Sequence, residues 1–417
     1  MYVPFVDLTR QSKNLKVAID KKILETIKSG QFVLGKELVN FEKEFASYIG
    51  TTYCRGVASG SDALLLALVS LGITRGDEVI VPDMTFIATA LPVLHLGARP
   101  VLVDILPDQP LIDPDKIEKA ITSRTKAIIV VHLHGHPCNM YKILKVARHH
   151  NIALIEDACQ AHGSSINIEL KTKNEELRTK NQEQRTSNIE PRTKNQEQKI
   201  INRSENIEVL SSKSSVRSWK MAGSVGHIGC FSFYPAKNLG GYGDGGAVVS
   251  SNKDLIENIT LLRNYGQKEK YNHVLAGFNS RLDSLQAAVL QVKLKYLNES
   301  NKKRRVHAAF YNSQLSHLPI KLPEEESNCK TNYHIYQIQT SRRDKLIKYL
   351  ANNNIKCQIH YPIPLHLQPA LTSLGYPKED FPNCRKFAQQ TLSLPLFPEL
   401  TREELYAVTK RISLFFN

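Results

Sequence analysis

The stretch Cys230-Phe-Ser-Phe-Tyr-Pro-Ala-Lys237-Asn-Leu-Gly-Gly-Tyr-Gly-Asp244-Gly-Gly246 places one lysine between apolar residues and a glycine-rich turn. Burial in such a site disfavours the charged form of an amine. It can therefore lower the pKa of Lys237 and make its amine nucleophilic, as Schiff-base chemistry requires. A structural interpretation is also open, in which the stretch is a strand end and a loop whose lysine extends to solvent. The rest of the chain distinguishes the two.

Strands and helices alternate through the first 165 residues. Short apolar runs predict buried strands at Glu78–Pro82, Pro100–Asp104, Ala127–His132 and Ile152–Asp157. Amphipathic stretches between them predict helices at Ser61–Leu71, Pro114–Ile121 and Met140–His149. Apolar strands that alternate with helices indicate an α/β fold, whose mainly parallel sheet is covered on both faces. Ligands of such sheets bind at the carboxyl ends of the strands.

After Leu262 the pattern changes to that of a second, smaller α+β unit. It predicts helices at Ser284–Leu297 and Ser300–Leu315, and strands at Tyr333–Gln339 and Ile355–Tyr361. We therefore expect a large domain over residues 1–262 and a small C-terminal domain over residues 263–417.

The segment Lys171–Gln198 consists of four tandem units, KTKNEEL, RTKNQEQ, RTSNIEP and RTKNQEQ. A seven-residue period suggests a coiled coil, but only Leu177 and Ile189 are aliphatic and Pro191 would interrupt a helix. The units cannot bury enough apolar surface to offset the entropy of ordering them. We predict a disordered or solvated insertion over about residues 167–217, in a surface loop where added length costs little free energy. Regular structure is expected to resume at Gly226.

Composition places the protein among soluble globular proteins. The 417 residues are 41% hydrophobic and 23% charged, and no apolar run approaches the roughly 20 residues that a membrane helix needs. The N-terminus lacks the features of a signal peptide. These observations predict a cytoplasmic protein with no membrane partner.

The seven cysteines are scattered along the chain and include no CxxC pair. An odd number without paired spacing argues against a disulfide framework and against a structural zinc site. We therefore predict no metal centre.

The net charge of +15 is spread along the sequence. No basic stripe with interleaved aromatic residues is present, as single-strand nucleic-acid binders usually show. A small molecule that carries phosphate would account for part of the charge. Nucleic-acid binding is kept only as a rival suggested by the high pI.

Two further segments carry chemistry. Ala58-Ser-Gly60-Ser61-Asp62 places small residues at the start of a helix, where free N–H groups and a hydroxyl can form a phosphate cup or an ordinary N-cap. Asp157 ends a buried strand, and a buried carboxylate needs a cationic partner. That partner could be a protonated pyridine nitrogen, or an arginine or lysine.

Together with Lys237, these segments resemble the DegT/DnrJ/EryC1/StrS family of sugar aminotransferases, which use pyridoxal 5'-phosphate (PLP). The resemblance runs from Phe5 to the C-terminus apart from the insertion. Its motifs stand in the expected order and include Ser29–Gly35, Ser59–Ala63, Thr85–Thr89, Glu156–Gly163, Ser232–Gly246, Gly277–Asp283 and His360–Pro369. The resemblance implies fold type I of the PLP-dependent transferases, with PLP held by the large domain.

It also implies roles for single residues. Lys237 would bind PLP covalently and then move the proton during transfer, while Asp157 would keep the pyridine nitrogen protonated. Gln160 would contact the ring hydroxyl and Phe86 would stack on the ring.

Other residues would hold the phosphate and the substrate. Gly60, Ser61 and Ser232 would bind the phosphate, joined by Asn279 from the neighbouring subunit of a homodimer. Weaker candidates for substrate contact are Arg281, His360 and His366; for each histidine a structural hydrogen bond is an equal alternative.

The predicted function is transfer of an amino group from an amino acid, glutamate, to a 3-keto UDP- or dTDP-sugar. Its product would serve cell-surface polysaccharide synthesis such as that of lipopolysaccharide. Lys237 favours transamination over the dehydration performed by a family branch with histidine at this position. A 4-keto substrate and a non-catalytic regulatory relative remain alternatives.

Overall fold

The computed structural model describes residues 1–170 and 216–417. Its strands are β1 Tyr53–Val57, β2 Glu78–Pro82, β3 Arg99–Val103, β4 Thr125–Val131, β5 Ala153–Asp157, β6 Ser165–Leu170, β7 Val216–Met221, β8 Ile228–Ser232, β9 Gly246–Ser250, β10 Gln267–Glu269, β11 Asn272–His273, β12 Cys329–Lys330, β13 Tyr336–Gln339 and β14 Thr391–Leu394.

The helices of the described residues include those that the sequence predicted, with ends that differ by up to four residues. They are α1 Leu8–Ser29, α2 Lys36–Ile49, α3 Gly60–Ser70, α4 Leu91–His95, α5 Pro114–Ile117, α6 Met140–His149, α7 Lys253–Leu262, α8 Ser284–Leu294, α9 Leu297–Leu315, α10 Arg343–Asn352, α11 Pro382–Gln390 and α12 Arg402–Phe416. Within the described parts of the chain, none of them is both long and apolar enough to cross a membrane.

A seven-stranded sheet forms the centre of the molecule, in the order β1-β9-β8-β5-β4-β2-β3. The run from β8 to β3 is parallel, and β9 lies antiparallel between β1 and β8. The structure therefore confirms the predicted α/β class with a mainly parallel sheet. The carboxyl ends of neighbouring strands meet at one edge, where Asp157 of β5 lies opposite Cys230 of β8.

Alternate residues of a strand point to opposite faces, and helices cover both faces of this sheet. On β4, Ala127 and Ile129 pack with α3 and α7, whereas Ile128 and Val130 pack with α6. All four side chains are fully buried. The near-continuous apolar strands of the sequence follow from this cover on both faces.

A β-hairpin flanks the predicted insertion. Strands β6 and β7 pair from Ser165–Met221 to Leu170–Val216, and β12 pairs with the other side of β6. The seven-residue units of Lys171–Gln198 lie outside the described residues. The edges of the prediction need correction, since hydrogen-bonded strands include residues 167–170 and 216–217, and regular structure resumes at Val216 rather than at Gly226.

The C-terminal part contains a separate apolar cluster around Tyr311, Tyr336 and Leu392. Its strand β13 pairs with β14. The predicted strand over Ile355–Tyr361 is wrong, because within the described residues this segment makes only single bridges, from Ile355 to Val3 and from Gln358 to Ser393. The segment thus forms one bridge with each of two different parts of the chain, instead of pairing with a single strand along its length. The domain boundary near residue 262 stays a prediction.

Candidate active site

Lys237 lies in the turn that connects β8 to β9, at the carboxyl edge of the sheet. Its backbone N–H donates to the carbonyl of Tyr234 over 2.9 Å. The turn needs glycine at position 240, because a Cβ there would lie 2.3 Å from the carbonyl oxygen of Pro235. The lysine side chain is half-buried.

The surroundings of Lys237 leave its amine available. Burial lowers the pKa of the Lys237 amine, an effect that Cys159 and Asp157 oppose. Among the described residues the amine nitrogen has no hydrogen-bond partner. A lysine with a lowered pKa and no hydrogen-bond partner supplies a neutral, nucleophilic amine more readily than an ordinary lysine does.

Asp157 is held by hydroxyl and backbone donors. Its Oδ2 accepts from the Thr89 hydroxyl over 2.8 Å, and its Oδ1 accepts from the N–H of Cys159 over 3.2 Å. The Thr89 hydroxyl is itself 2.8 Å from that of Thr85. No arginine or lysine of the described residues lies within 4 Å of the carboxylate. Of the two partners that the sequence left open, the structure therefore leaves room for the pyridine nitrogen.

The start of α3 packs directly against the strand that leads to Lys237. A Cβ on Gly60 would lie 2.7 Å from the Cβ of Ser232 and 2.9 Å from the Sγ of Cys159. The hydroxyl of Ser59 accepts from the N–H of Asp62 over 3.1 Å and caps the helix. The side chain of Ser61 is exposed. The N–H groups of this helix start and the side chain of Ser232 thus lie close together, where they could bind a phosphate.

Asn279 lies close to the same helix start of its own chain. The hydroxyl of the next residue, Ser280, accepts from the N–H of Ala58 over 3.3 Å and donates to Asp62 over 2.6 Å. The Asn279 side chain is exposed. The expectation that it reaches the phosphate of a neighbouring subunit stays a prediction.

Gln160 is buried and fixed by two hydrogen bonds. Its Oε1 accepts from the N–H of His134 over 2.7 Å, and its Nε2 donates to the hydroxyl of Tyr361 over 3.1 Å. The exposed ring of Phe86 lies 5.7 Å from the ring of Tyr361. Burial raises the pKa of Tyr361 to about 12. His134 and Tyr361 were missed at the level of sequence, although Tyr361 belongs to a quoted motif.

The weaker substrate candidates are placed differently from one another. His360 contacts the Ser393 hydroxyl through Nδ1 at 2.9 Å, and burial, then the charge of Lys237, lowers its pKa to about 4. His366 is buried and its Nδ1 contacts Asp83 at 2.7 Å, which is the structural alternative. Arg281 donates to Asn264 over 2.9 Å.

Two further histidines, which were not predicted from the sequence as site residues, lie near Lys237. Burial, then the charge of Lys237, lowers the pKa of His162 to about 3 and that of His334 well below its ordinary value. Both rings are therefore neutral near pH 7 and add no positive charge beside the amine. His162 lies in the quoted motif that contains Asp157, which is the one signal that could have identified it.

These groups fit PLP. A Cβ on Gly60 would clash with Ser232 and Cys159, so glycine lets α3 begin directly beside Ser232, where its free N–H groups could bind a phosphate. Lys237 offers an amine for the aldehyde, and Asp157, which forms no ion pair with an arginine or lysine of the described residues, offers a carboxylate for the ring nitrogen. Three distinct features of the cofactor thus meet three matching groups at one edge of the sheet.

Comparisons with known proteins find similar sequences and structures along nearly the whole chain. The model of the DegT/DnrJ/EryC1/StrS aminotransferase family matches residues 13–413. The chain is 40% identical over 407 residues to a dTDP-3-amino-3,4,6-trideoxy-alpha-D-glucose transaminase of Streptomyces venezuelae, covering 97% of this chain and 94% of the relative.

Two other relatives carry different names. A UDP-N-acetyl-3-dehydro-alpha-D-glucosamine 3-aminotransferase of Acidithiobacillus ferrooxidans is 36% identical over 403 residues, which cover 97% of this chain and 95% of the relative. A pleiotropic regulatory protein of Geobacillus stearothermophilus is 36% identical over 420 residues, which cover 100% and 99%.

Solved structures have the same architecture. The structure of S. venezuelae DesV in complex with a ketimine intermediate superposes with a TM-score of 0.86 at 39% identity, covering 100% of this chain and 99% of DesV. The structure of NtdA from Bacillus subtilis with bound cofactor PMP gives a TM-score of 0.82 at 30% identity, covering 100% and 85%.

Proposed function

The chain belongs to the DegT/DnrJ/EryC1/StrS aminotransferase family, and we propose that it transfers the amino group of glutamate to the C3 ketone of a UDP- or dTDP-linked sugar. Family membership makes the protein a sugar aminotransferase that uses PLP within the fold type I architecture, as the sequence predicted. The observation that carries the proposal is the amine of Lys237 at the sheet edge beside Asp157, which has a lowered pKa and no hydrogen-bond partner among the described residues.

PLP supplies an electron sink for the charge that develops when a proton leaves the carbon bearing the amine. Lys237 would move that proton. Its nitrogen would take the proton from the α-carbon of glutamate in the first half-reaction and deliver one to C3 of the sugar in the second. Overall, glutamate becomes a keto acid and the ketone becomes an amine.

Asp157 would hold the proton on the pyridine nitrogen. The Thr89 hydroxyl and the N–H of Cys159 orient its carboxylate. A fixed carboxylate keeps its charge directed at one point instead of sharing it with solvent. We assign Gln160 to the ring hydroxyl and Phe86 to the ring face, as the resemblance implied.

The phosphate would lie at the start of α3. Gly60 and Ser61 contribute the helix end, and Ser232 contributes a hydroxyl from β8. We propose that Asn279 of a second copy completes the cup, which makes a homodimer the active form. The exposed side chain of Asn279 is consistent with such an exchange.

The position of the ketone is proposed from two relatives. Both the S. venezuelae and the A. ferrooxidans proteins are named for amination at C3, one on a dTDP-sugar and the other on a UDP-sugar. Their agreement favours C3, and their disagreement leaves the nucleotide as either UDP or dTDP. We further propose a cytoplasmic role in cell-surface polysaccharide synthesis, including lipopolysaccharide. A 4-keto substrate is the alternative.

A regulatory protein without catalysis is the second candidate function. It rests on the name of the G. stearothermophilus relative. The groups gathered around Lys237 disfavour it, because a regulatory surface has no need of a nucleophilic amine beside a carboxylate that lacks a protein cation.

A substrate panel tests the proposal. Purified protein loaded with PLP is incubated with glutamate and with 3-keto and 4-keto sugars linked to UDP or dTDP, and products are identified by mass spectrometry. We expect an amino sugar from a 3-keto substrate. The product and the PLP absorbance band should both disappear in Lys237→Ala and persist in Lys253→Ala, which changes an exposed lysine outside the site. A PLP band without product from any sugar would favour the regulatory candidate.

A further inference from the structure

Three side chains with metal-binding atoms meet outside the Lys237 site. His136 lies in the loop after β4, Glu326 precedes β12, and Cys329 begins β12. Their donor atoms all lie within 4.8 Å of one another. We propose that they form a binding site for one zinc ion.

The distances between donor atoms suit a tetrahedral ion. His136 Nε2 and Cys329 Sγ are 3.5 Å apart, Cys329 Sγ and Glu326 Oε2 are 3.2 Å apart, and His136 Nε2 and Glu326 Oε2 are 2.6 Å apart. In a tetrahedral zinc site, such atoms lie about 3.4 to 3.6 Å from one another. Both sulfur distances are within about 0.4 Å of this range, and the nitrogen–oxygen pair must open by roughly 0.8 Å.

The donor set selects zinc by its chemistry. One thiolate, one imidazole and one carboxylate are the ligand types that zinc takes in proteins, whereas magnesium and calcium prefer oxygen alone. Cys329 is 4% exposed, while Glu326 is 48% exposed. The ion would thus contact a buried sulfur on one side and have room for a water molecule on the other.

A further residue orients the carboxylate. Gln109 donates through Nε2 to Oε1 of Glu326, so Oε2 is the oxygen that faces the histidine and the cysteine. Partners of this kind fix metal ligands in place.

The site would connect two parts of the active-site surroundings. Cys329 pairs with Ile166 of the β6–β7 hairpin. His136 lies two residues from His134, whose N–H holds Gln160. A bound ion would therefore link the hairpin sheet to the loop that orients Gln160, as a structural site that takes no part in the reaction.

The sequence predicted no metal site because it contains no CxxC pair. His136 and Glu326 are 190 residues apart and Glu326 and Cys329 only three apart. No short motif records this arrangement, since only the tertiary fold brings β12 to the loop after β4.

A second group of possible metal ligands must be removed before zinc binding at the His136 site is measured. Glu118, His149 and His150 are exposed and also lie close together. We would use the double variant His149→Ala/His150→Ala as the background, because both histidines can take up zinc at the surface.

Zinc content tests the proposal directly. The full-length, PLP-loaded protein in that background is treated with a chelator and dialysed against zinc chloride, and bound zinc is counted by elemental analysis. We expect one zinc per chain, and an affinity at least about tenfold lower in Cys329→Ser and in Glu326→Gln. Cys357→Ser, which changes a cysteine outside the cluster, should bind as the background does.

Cobalt gives a second readout. Cobalt bound at this site should show a thiolate-to-metal absorption band that Cys329→Ser lacks and Cys357→Ser retains. Glu326→Gln keeps a hydrogen-bonding side chain at a half-exposed position, so it tests the site even if Cys329→Ser does not fold. Zinc affinity that is absent from the background protein, or unchanged in both Cys329→Ser and Glu326→Gln, would overturn the proposal.

Discussion

The carboxylate of Asp157 is controlled by a short chain of hydroxyl groups. Thr85 contacts Thr89, and Thr89 donates to the carboxylate. The Thr89 hydroxyl fixes the Oδ2 atom of Asp157. If this hydrogen bond is lost, the carboxylate should rotate away from the orientation in which it would face the pyridine nitrogen. We therefore interpret Thr89 as a positioning residue. The motif Thr85–Thr89 was identified in the sequence, but a role in it was assigned only to Phe86.

We predict that Thr89→Val slows the half-reaction with glutamate about tenfold, since one hydrogen bond to a charged group is removed. Thr85→Val removes only the outer hydroxyl and should slow it less than about threefold. Single-turnover absorbance measurements of the PLP-loaded protein give both rates. If the wild type, Thr89→Val and Thr85→Val have the same PLP absorbance band and equal rates, Thr89 does not position Asp157.

The neutral histidines predict a loss of stability in acid. The pKa of His162 is lowered from 6.5 to about 3 by burial. Below pH 6.5 the unfolded chain therefore binds a proton that the folded chain does not, and stability falls as the pH drops from 6.5 toward 3. Each such histidine contributes a slope of about 1.4 kcal/mol per pH unit.

His162→Phe should remove one such contribution. The ring contacts Phe45, Phe231 and Phe233, so phenylalanine suits its surroundings. Urea unfolding between pH 7.5 and pH 5, at one protein concentration, should give a pH slope lower by roughly 1.4 kcal/mol per unit below pH 6.5. His317→Phe, at an exposed position, should keep the original slope. Equal slopes for the wild type and His162→Phe would contradict the assignment.

Strands β6 and β7 show where the chain leaves and re-enters the described structure around the predicted insertion, whose residues 171–215 lie outside the described residues. Leu170 and Val216 are paired neighbours, so the chain leaves and re-enters the sheet at adjacent positions. The strands themselves are anchored by Ile166 and Ile168, which pack into the core that contains α6. These two side chains fix β6 against the core.

We predict that joining Leu170 to Val216 through Asn-Gly does not lower the free energy of unfolding and raises it by up to roughly 3 kcal/mol, because the entropic cost of closing a loop falls by about 0.6 kcal/mol for each halving of its length. PLP binding should also be unchanged. As a control, Ile168→Ala should cost about 2 to 5 kcal/mol, since its side chain is buried. Urea unfolding measures both. A large loss of stability or of PLP binding on deletion would show that residues 171–215 contribute to the fold or the site.

The molecule as a whole is proposed to act as a dimer with shared sites. If Asn279 serves the cofactor of the partner, a mixed dimer of Lys237→Ala and Asn279→Ala chains contains one site with both changes and one with neither. Random mixing should then restore about a quarter of the sites. Activity after co-expression or after unfolding and refolding together measures the restoration.

Lys237→Ala mixed with Asp157→Asn is the matched control. Asp157 ends β5 and Lys237 follows the neighbouring strand β8 of the same chain, so no mixed dimer has an intact site and no activity should return. If the Asn279→Ala pair restores no activity while the control pair also stays inactive, Asn279 acts within its own chain; activity from the control pair would contradict the placement of Lys237 and Asp157 in one site of one chain.

The sequence by itself determined the local elements and the chemistry of single positions. Strands β2, β4 and β5 and helix α6 follow from apolar runs and periodicity, and the resemblance assigned Lys237 and Asp157 because these residues stand in short motifs. Only the tertiary structure decided which residues that are far apart in the sequence contact one another. The contact of Gly60 with Ser232, the bond from Thr89 to Asp157, the cluster of His136 with Cys329 and the failure of Ile355–Tyr361 to form a strand all depend on it. The physical reason is that propensity and periodicity act within a few residues, whereas these contacts require the sheet order that only packing establishes.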